Sequence, residues 1–167
     1  QCRGIGDRQV ADADRRIPFL FLGKGGRGRH QAAQGAKAAP LQQLAPIDAM
    51  MEATIKTLRS VRVQAMDAGV RIALENHGDM QAWQMKALIE ESGREFAGCC
   101  FDAGNPVVLL EDPLMALEIL GPYAFAAHMR DSVLYEHPRG AAFQWVAMGD
   151  GMIDFKQLVR RYAELCP

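Results

Sequence analysis

The sequence predicts an α/β fold in which parallel strands alternate with helices. Short apolar runs alternate with stretches of helical length, and three of these runs end in a polar residue about one strand-helix unit apart. Strands this uniformly apolar are typical of a parallel sheet that helices cover on both faces. At 167 residues, the chain is long enough for one domain with its own core.

Residues 1–46 are predicted to be an irregular segment with one strand. The strand is predicted at 17–23 (IPFLFLG), an apolar run that ends in Gly, and the Gly, Ala, Gln and Pro of residues 24–46 favour a long loop. The segment carries eight Lys or Arg against three Asp. Its basic part, GKGGRGRHQ, lacks the spacing of a phosphate-binding P-loop and favours a flexible basic loop.

A regular alternation begins at residue 47. Residues 47–69 are predicted to form an amphipathic helix that ends at Gly69, and VRIALEN (70–76) a strand. The next helix is predicted at 79–93, with Asp79 as its N-cap and Gly93 at its end. The apolar side of the first helix is predicted to carry Met51, Ile55, Leu58, Val61 and Val63.

The second half repeats this alternation. FAGCCFDAGNP is predicted to be a strand that ends at Asp102, and YAFAAHMRDS a strand that ends at His128. Between them lies a predicted helix with Asp112 as N-cap and Pro113 in its first turn. An irregular stretch and a glycine turn (MGDGMIDF) then lead into a last helix.

Composition and cysteine usage restrict the environment. A net charge of -1 argues against general binding to nucleic acid or membranes, and no apolar run has transmembrane length. Cys2, Cys99, Cys100 and Cys166 form no CxxC motif, and adjacent strand cysteines point to opposite faces. We therefore predict four reduced thiols in a cytoplasmic protein.

Three polar strand ends predict a metal site. Glu75, Asp102 and His128 are 27 and 26 residues apart, and each closes an apolar strand. The carboxyl ends of parallel strands lie at one edge of the sheet, so these side chains are expected to meet there. Two carboxylates and an imidazole suit Mn²⁺, Mg²⁺, Co²⁺ or Zn²⁺ without selecting among them. The alternative is that each residue caps a strand end or makes a surface ion pair.

Four motifs extend the pattern: ALENHGD, FDAGNP, HMRDS and MGDGMIDF. In this order and spacing, the sequence resembles the sugar phosphate isomerase/epimerase family, which has the xylose isomerase-like TIM-barrel fold. The resemblance covers about residues 47–167. It implies a metal-dependent enzyme that acts on a small-molecule sugar or sugar phosphate by proton abstraction next to a metal-bound carbonyl.

Carried over to this sequence, the resemblance makes Glu75 a metal ligand and the catalytic acid/base, and Asp102 and His128 the next two ligands. Arg130 would face the same edge and hold a substrate phosphate or hydroxyl, unless it is simply a solvated arginine. Three further residues are substrate-contact candidates, with ordinary structural roles as the alternative: His77, Asn105 and Trp145.

Two departures from related proteins matter. Related epimerases and endonucleases often have a histidine where this chain has Asn105, and the endonuclease IV group has an Asp-x-His pair that the loop after His128 lacks. An abasic-site nuclease with a trinuclear zinc site is therefore only a further alternative, and no nucleic-acid partner is expected.

The resemblance also implies an incomplete barrel. A full barrel needs about 250 residues, and family members carry a second glutamate on a strand that would follow AELCP. We therefore expect a partial (β/α) TIM barrel that lacks the first strands and the last strand. Such a chain could be inactive alone, could be a non-catalytic fragment that needs a partner chain, or could form a homo-oligomer.

Overall fold

A computed structural model describes residues 19–22, 46–138 and 140–167 of the chain. The predicted irregular segment at 1–46, with Cys2 and the basic loop, lies almost entirely outside the described residues. Within these described ranges the strands are β1 (Phe19–Leu22), β2 (Arg71–Glu75), β3 (Ala97–Asp102), β4 (Ala124–His128), β5 (Asp131–His137) and β6 (Gly140–Val146). The α-helices of the same ranges are α1 (Ile47–Asp67), α2 (Ala82–Ser92), α3 (Pro113–Leu120) and α4 (Phe155–Leu165), and 3-10 turns cover Asn105–Leu109 and Gly121–Tyr123.

The first four strands form one parallel sheet in the order β1-β2-β3-β4. Along this sheet Glu75 is in register with Cys100, and Asp102 with His128. Helices follow or connect the strands, as in a (β/α) barrel. The predicted fold class, a partial TIM barrel, is confirmed. The register aligns the carboxyl ends of β2, β3 and β4 at one edge.

Helix α1 is amphipathic, but part of its predicted apolar side is wrong. Ile55, Leu58 and Ala65 are its buried residues. Val63 is 68% exposed and Val61 is also exposed, because both lie off the buried stripe. The helix ends as predicted: Gly69 directly follows the C-cap residue with φ +63, a conformation that glycine adopts without steric cost.

Helix α2 begins later than predicted, and Asp79 is not its N-cap. The N-cap residue is Gln81, whose backbone N–H donates to Gln84 Oε1 over 2.9 Å. The N–H of Ala82 donates to the Glu111 carboxylate over 3.1 Å, so a residue distant in sequence satisfies a donor of the first turn. These two amides therefore bond to Gln84 and Glu111 rather than to Asp79. The predicted end at Gly93 is confirmed.

Helix α3 has the predicted start. The Asp112 side chain accepts hydrogen bonds from the backbone N–H groups of Leu114 (2.8 Å) and Met115 (3.0 Å), and Pro113 is the first helical residue. Proline is favoured there because its missing N–H would have no helical partner in any case.

The stretch predicted to be irregular after β4 is an antiparallel hairpin, so that prediction is wrong. Strands β5 and β6 pair from Asp131 opposite Val146 to His137 opposite Gly140. The sequence does not predict this hairpin, because no Asn-Gly or Asp-Gly pair lies between the two strands, and most of the described hairpin residues are half-buried or exposed.

The core lies between the parallel sheet and the helices. Each fully buried Leu, Ile or Phe contributes about 1.5–3 kcal/mol relative to an exposed one. Cys99 and Cys100 are also fully buried, and both are free thiols, as is Cys166. The largest fully buried apolar side chains are Leu58, Leu88, Ile89, Phe96, Phe101, Leu117, Leu120 and Leu158.

Candidate metal centre

The three predicted ligands converge at the carboxyl edge of the sheet. His128 Nδ1 lies 3.4 Å from Glu75 Oε1 and 3.6 Å from Asp102 Oδ2. One ligand atom from each residue lies within 4.8 Å of the others. Atoms that bind one ion at about 2.1 Å lie roughly 3.0–3.5 Å apart. The spacing and the O,O,N donor set therefore fit a divalent metal, with small adjustments of the side chains.

Asp102 is the most rigidly held member of the cluster. Its side chain is fully buried, and its Oδ1 accepts hydrogen bonds from the N–H groups of Gly104 (2.9 Å) and Asn105 (3.3 Å). These bonds orient the carboxylate so that its other oxygen, Oδ2, faces His128. One oxygen therefore positions the group, and the other is directed into the cluster.

Asn76 fixes the backbone of Asp102 from the neighbouring strand. Its side chain accepts from the Asp102 N–H over 2.6 Å and donates to the Asp102 carbonyl over 3.1 Å. Asn76 is buried, so the two bonds also satisfy its own amide. The sequence reasoning missed this role, although a polar residue directly after a buried strand and beside a candidate ligand was a usable signal.

Glu75 is half-buried and receives several donors on one oxygen. Its Oε1 accepts from Asn105 Nδ2 over 3.3 Å and from Arg130 over 3.1 Å, in addition to its approach to His128. Asn105 and Arg130, two of the predicted substrate-contact residues, therefore lie in direct contact with the candidate ligands.

Arg130 bridges the two carboxylates. Its Nε donates to Asp102 Oδ2 over 2.7 Å, and one terminal nitrogen bonds to both Asp102 Oδ2 and Glu75 Oε1. The guanidinium carbon also lies 4.6 Å from the ring centroid of Trp145, which is a cation–π contact. Arg130 is 41% exposed, so solvent reaches this charge.

Trp145 reaches the centre from strand β6. It packs on the backbone of Gly104, so closely that a Cβ at this position would collide with the indole. Phe143 supports the indole edge-on, with ring centroids 4.6 Å apart. The fourth predicted contact residue, His77, is exposed, and among the described residues it takes no part in the hydrogen bonds that link this cluster.

The thiol below the cluster is held neutral. Burial raises the pKa of Cys100 to about 12, and the negative charges of Glu75 and Asp102 contribute to this rise. A neutral thiol is a poor nucleophile and a poor metal ligand. Cys100 is therefore a buried strand residue with a neutral thiol.

A second buried carboxylate, Asp131, organises the glycine-rich turn of the MGDGMIDF motif. Its oxygens accept backbone hydrogen bonds from Ser132 (2.8 Å), Gly149 (2.9 Å), Gly151 (3.0 Å) and Ile153 (3.3 Å). A Cβ at Gly151 would collide with this carboxylate, which explains the glycine. This link was not predicted from the sequence, where its only signals are the HMRDS and MGDG motifs themselves.

The described residues form part of a (β/α) barrel, with a candidate metal centre at the carboxyl edge of its sheet. The chain belongs to the xylose isomerase-like TIM barrel family, whose model matches residues 28–165. The resemblance seen in the sequence is confirmed. This superfamily contains sugar isomerases and epimerases and related enzymes.

Individual relatives match part of their own length. The chain is 28% identical over 99 residues to the uncharacterized protein YihM of Escherichia coli K12, which is 59% of this chain and 30% of YihM. A xylose isomerase-like TIM barrel protein from Mycobacterium smegmatis, in complex with magnesium, superposes with a TM-score of 0.63 at 20% identity, covering 75% of this chain and 44% of that one.

The IolI protein with a bound zinc atom superposes with a TM-score of 0.60 at 20% identity, covering 74% of this chain and 46% of IolI. At this identity the two superpositions show the fold alone. The chain thus spans less than half the length of each of these relatives. Within the described part of the chain, no helix is both long and apolar enough to cross a membrane.

Proposed function

We propose that the protein is a metal-dependent sugar or sugar-phosphate isomerase or epimerase that acts by proton transfer next to a substrate carbonyl. The observation that carries the proposal is the convergence of Glu75, Asp102 and His128, with His128 Nδ1 within 3.4 and 3.6 Å of the two carboxylates. The family supports the reaction class, because it contains isomerases and epimerases.

Glu75, Asp102 and His128 would hold the metal, which remains one of Mn²⁺, Mg²⁺, Co²⁺ and Zn²⁺. Magnesium and zinc accompany the two solved relatives described above. When bound, the ion supplies Lewis-acid polarisation of a substrate oxygen. Asp102 suits the role of fixed ligand because backbone N–H groups already orient its carboxylate.

Glu75 is the proposed base. Its carboxylate is half-buried beside the other ligands, and the neighbouring Asn105 amide and Arg130 guanidinium keep it oriented. In this role Glu75 takes the proton from the carbon next to the carbonyl. In an isomerisation it returns the proton to the neighbouring carbon, whereas in an epimerisation a second acid must protonate the opposite face. Arg130, Asn105, Trp145 and His77 are the proposed substrate contacts, with Arg130 suited to a phosphate or hydroxyl.

The first test is metal binding by isothermal titration calorimetry with Mn²⁺, Co²⁺ and Zn²⁺. Asp102→Asn and Glu75→Gln should weaken or abolish binding. Glu118→Gln is the matched control, because that carboxylate pairs with Arg161 on the exposed side of α3. Equal metal binding by all four proteins, or by none, would remove the basis of the proposal.

The second test follows the reaction. We expect deuterium from solvent to enter the C–H next to the carbonyl of a ketose or ketose phosphate, as measured by proton NMR on a substrate panel. Glu75→Gln should slow this exchange by about 100- to 10,000-fold, the range that one general base contributes. An unchanged rate would exclude Glu75 as the base.

A second candidate is a non-catalytic barrel portion that functions with a partner chain or as a homo-oligomer. It is favoured by the sheet order, in which β4 is an outer strand of the described parallel sheet. An outer strand offers backbone groups to a strand from another chain. Light scattering coupled to size exclusion, run with and without metal, tests this reading; a monomer that catalyses exchange would refute it.

We also propose that the protein is cytoplasmic. Free Cys99, Cys100 and Cys166 support a reducing compartment such as the cytoplasm.

A further inference from the structure

We propose that Arg130 is an internal cation that occupies the carboxylates of the metal centre, and that a divalent ion binds only by displacing it. The inference rests on the proposed metal site and deepens it. It assigns to one side chain of this chain a competition with the ion, which determines how tightly the ion is held.

Arg130 and the ion need the same oxygen atoms. The two oxygens nearest to His128 Nδ1 are Glu75 Oε1 and Asp102 Oδ2. One terminal nitrogen of Arg130 bonds to both of these oxygens, and its Nε bonds to Asp102 Oδ2 over 2.7 Å. An ion that completes the triad must use lone pairs that the guanidinium now holds.

The charges at the centre also favour an exchange of Arg130 for the ion. Two carboxylates beside one guanidinium leave a net charge of about -1 at this edge. If a divalent ion joined them while Arg130 stayed, two cationic centres would share the same oxygens at close range, where like charges repel strongly. Exchange of the guanidinium for the ion avoids that repulsion.

The Arg130 side chain can move outward into solvent. Its side chain is 41% exposed, whereas Asp102 is fully buried and held by backbone N–H groups. The arginine can therefore swing outward while the carboxylate stays in place. The movement breaks the stacking on Trp145, whose ring centroid lies 4.6 Å from the guanidinium carbon.

Trp145 therefore reports on the exchange. The chain has two tryptophans, and the other, Trp83, is exposed on α2. In a Trp83→Phe chain, Trp145 is the sole tryptophan. Addition of Mn²⁺ or Zn²⁺ to this chain, previously treated with EDTA, should change the intensity or wavelength of its emission, with a midpoint that agrees with calorimetry.

The decisive experiment compares metal affinity with and without the guanidinium. Arg130→Gln should bind Zn²⁺ about tenfold more tightly than the unchanged protein, a factor equivalent to about 1.4 kcal/mol, and should abolish the Trp145 response. Arg94→Gln is the matched control, because Arg94 also stacks on a ring, that of Tyr123, away from the centre. It should leave both readouts unchanged.

The outcomes separate this inference from the proposed function. If the protein and Arg130→Gln bind Zn²⁺ equally, or the variant binds more weakly, while Glu75→Gln abolishes binding, the metal site stands and the competition is refuted. If no variant binds metal, both fail. If Arg130→Gln does not fold, the metal titration of Trp83→Phe still tests the proposal. Metal binding without any change in Trp145 emission would refute the displacement of Arg130.

Discussion

Two buried aspartates show how similar sequence signals lead to different roles. Asp102 is the last residue of β3 and Asp131 the first residue of β5, and both are fully buried. Both also accept hydrogen bonds from backbone N–H groups of glycines. They differ in what the remaining carboxylate lone pairs contact.

Both Asp131 oxygens are occupied by backbone donors, of which three come from the turn at 149–153. Asp102 uses Oδ1 for the backbone and leaves Oδ2 to His128 and Arg130, which are side chains on the neighbouring segment. Backbone donors cannot leave without unfolding the turn, whereas side chains can be exchanged for a ligand. Burial therefore does not distinguish a structural carboxylate from a candidate ligand. The distinction lies in whether its hydrogen-bond partners are backbone N–H groups or side chains.

Replacement of the structural carboxylate should have the largest effect on stability. Asp131→Ala orphans four backbone donors, and at about 1 kcal/mol each we expect a loss of about 4 kcal/mol in the free energy of unfolding. Urea denaturation measures this loss. Asp150→Ala, at an exposed position in the same turn, should change stability by less than about 0.5 kcal/mol. Similar losses of stability in Asp131→Ala and Asp150→Ala would show that the Asp131 carboxylate has no special structural role in this turn.

Replacement of the candidate ligand Asp102 should change metal affinity more than stability. In Asp102→Asn the side-chain oxygen can still accept from Gly104, so we expect a stability change within about 1.5 kcal/mol. Metal affinity should fall by about 100-fold or more. Replacing a residue that only supports a ligand typically lowers metal affinity by about 10- to 100-fold, and replacing a ligand itself should lower it at least as much. Denaturation and calorimetry on the same sample measure the two quantities. Retained affinity with a large loss of stability would make Asp102 structural too.

The glycines beside the two aspartates sharpen the same comparison. In Gly151→Ala, the Cβ collides with the Asp131 carboxylate and the Ser132 carbonyl. Because both are buried and immobile, the variant should lose about 1–3 kcal/mol of stability. In Gly149→Ala, the Cβ has no neighbour within 4 Å, although φ of +95 is strained for alanine. A smaller loss, about 1 kcal/mol, is expected there. Thermal denaturation of both variants distinguishes collision from backbone strain.

Gly104→Ala should mainly affect Trp145. The indole is partly exposed on β6 and can move away from the new Cβ, unlike the Asp131 carboxylate. We expect a change in tryptophan emission and a loss of stability of about 1 kcal/mol or less. A loss as large as that of Gly151→Ala would show that Trp145 is fixed by its packing.

The last expected effect is a pH dependence from Cys100. Burial first, then Glu75 and Asp102, raise the pKa of this thiol from 9.0 to about 12. Between these values the unfolded chain has lost the thiol proton and the folded protein has kept it, so stability falls as pH rises. One group contributes at most about 1.4 kcal/mol per pH unit. Urea denaturation at pH 8 and pH 10 should show a shallower decline for Cys100→Ala; an identical decline would remove Cys100 as a cause.

The alternating elements and the ligand triad could be predicted because they depend on local patterns. Apolar runs, Gly69, Gly93 and Asp112 mark element ends, and parallel strands bring Glu75, Asp102 and His128 to one edge whatever the details of packing. The prediction of Asp79 as the N-cap of α2 was wrong. Glu111, which lies 29 residues from Ala82 in the sequence, accepts a hydrogen bond from the first turn of that helix.

What the sequence determined by itself is the succession of strands and helices, the family, and the three residues at the strand ends, since periodicity and strand polarity are local properties. Tertiary structure decided the hairpin, the hydrogen bonds of Asn76 to the Asp102 backbone, the turn around Asp131 and the hydrogen bonds of Arg130 to both carboxylates. Apart from the hairpin, whose paired residues are 3 to 15 positions apart, these features join residues 18 to 55 positions apart. Such pairs depend on the relative placement of whole elements, which no local pattern encodes.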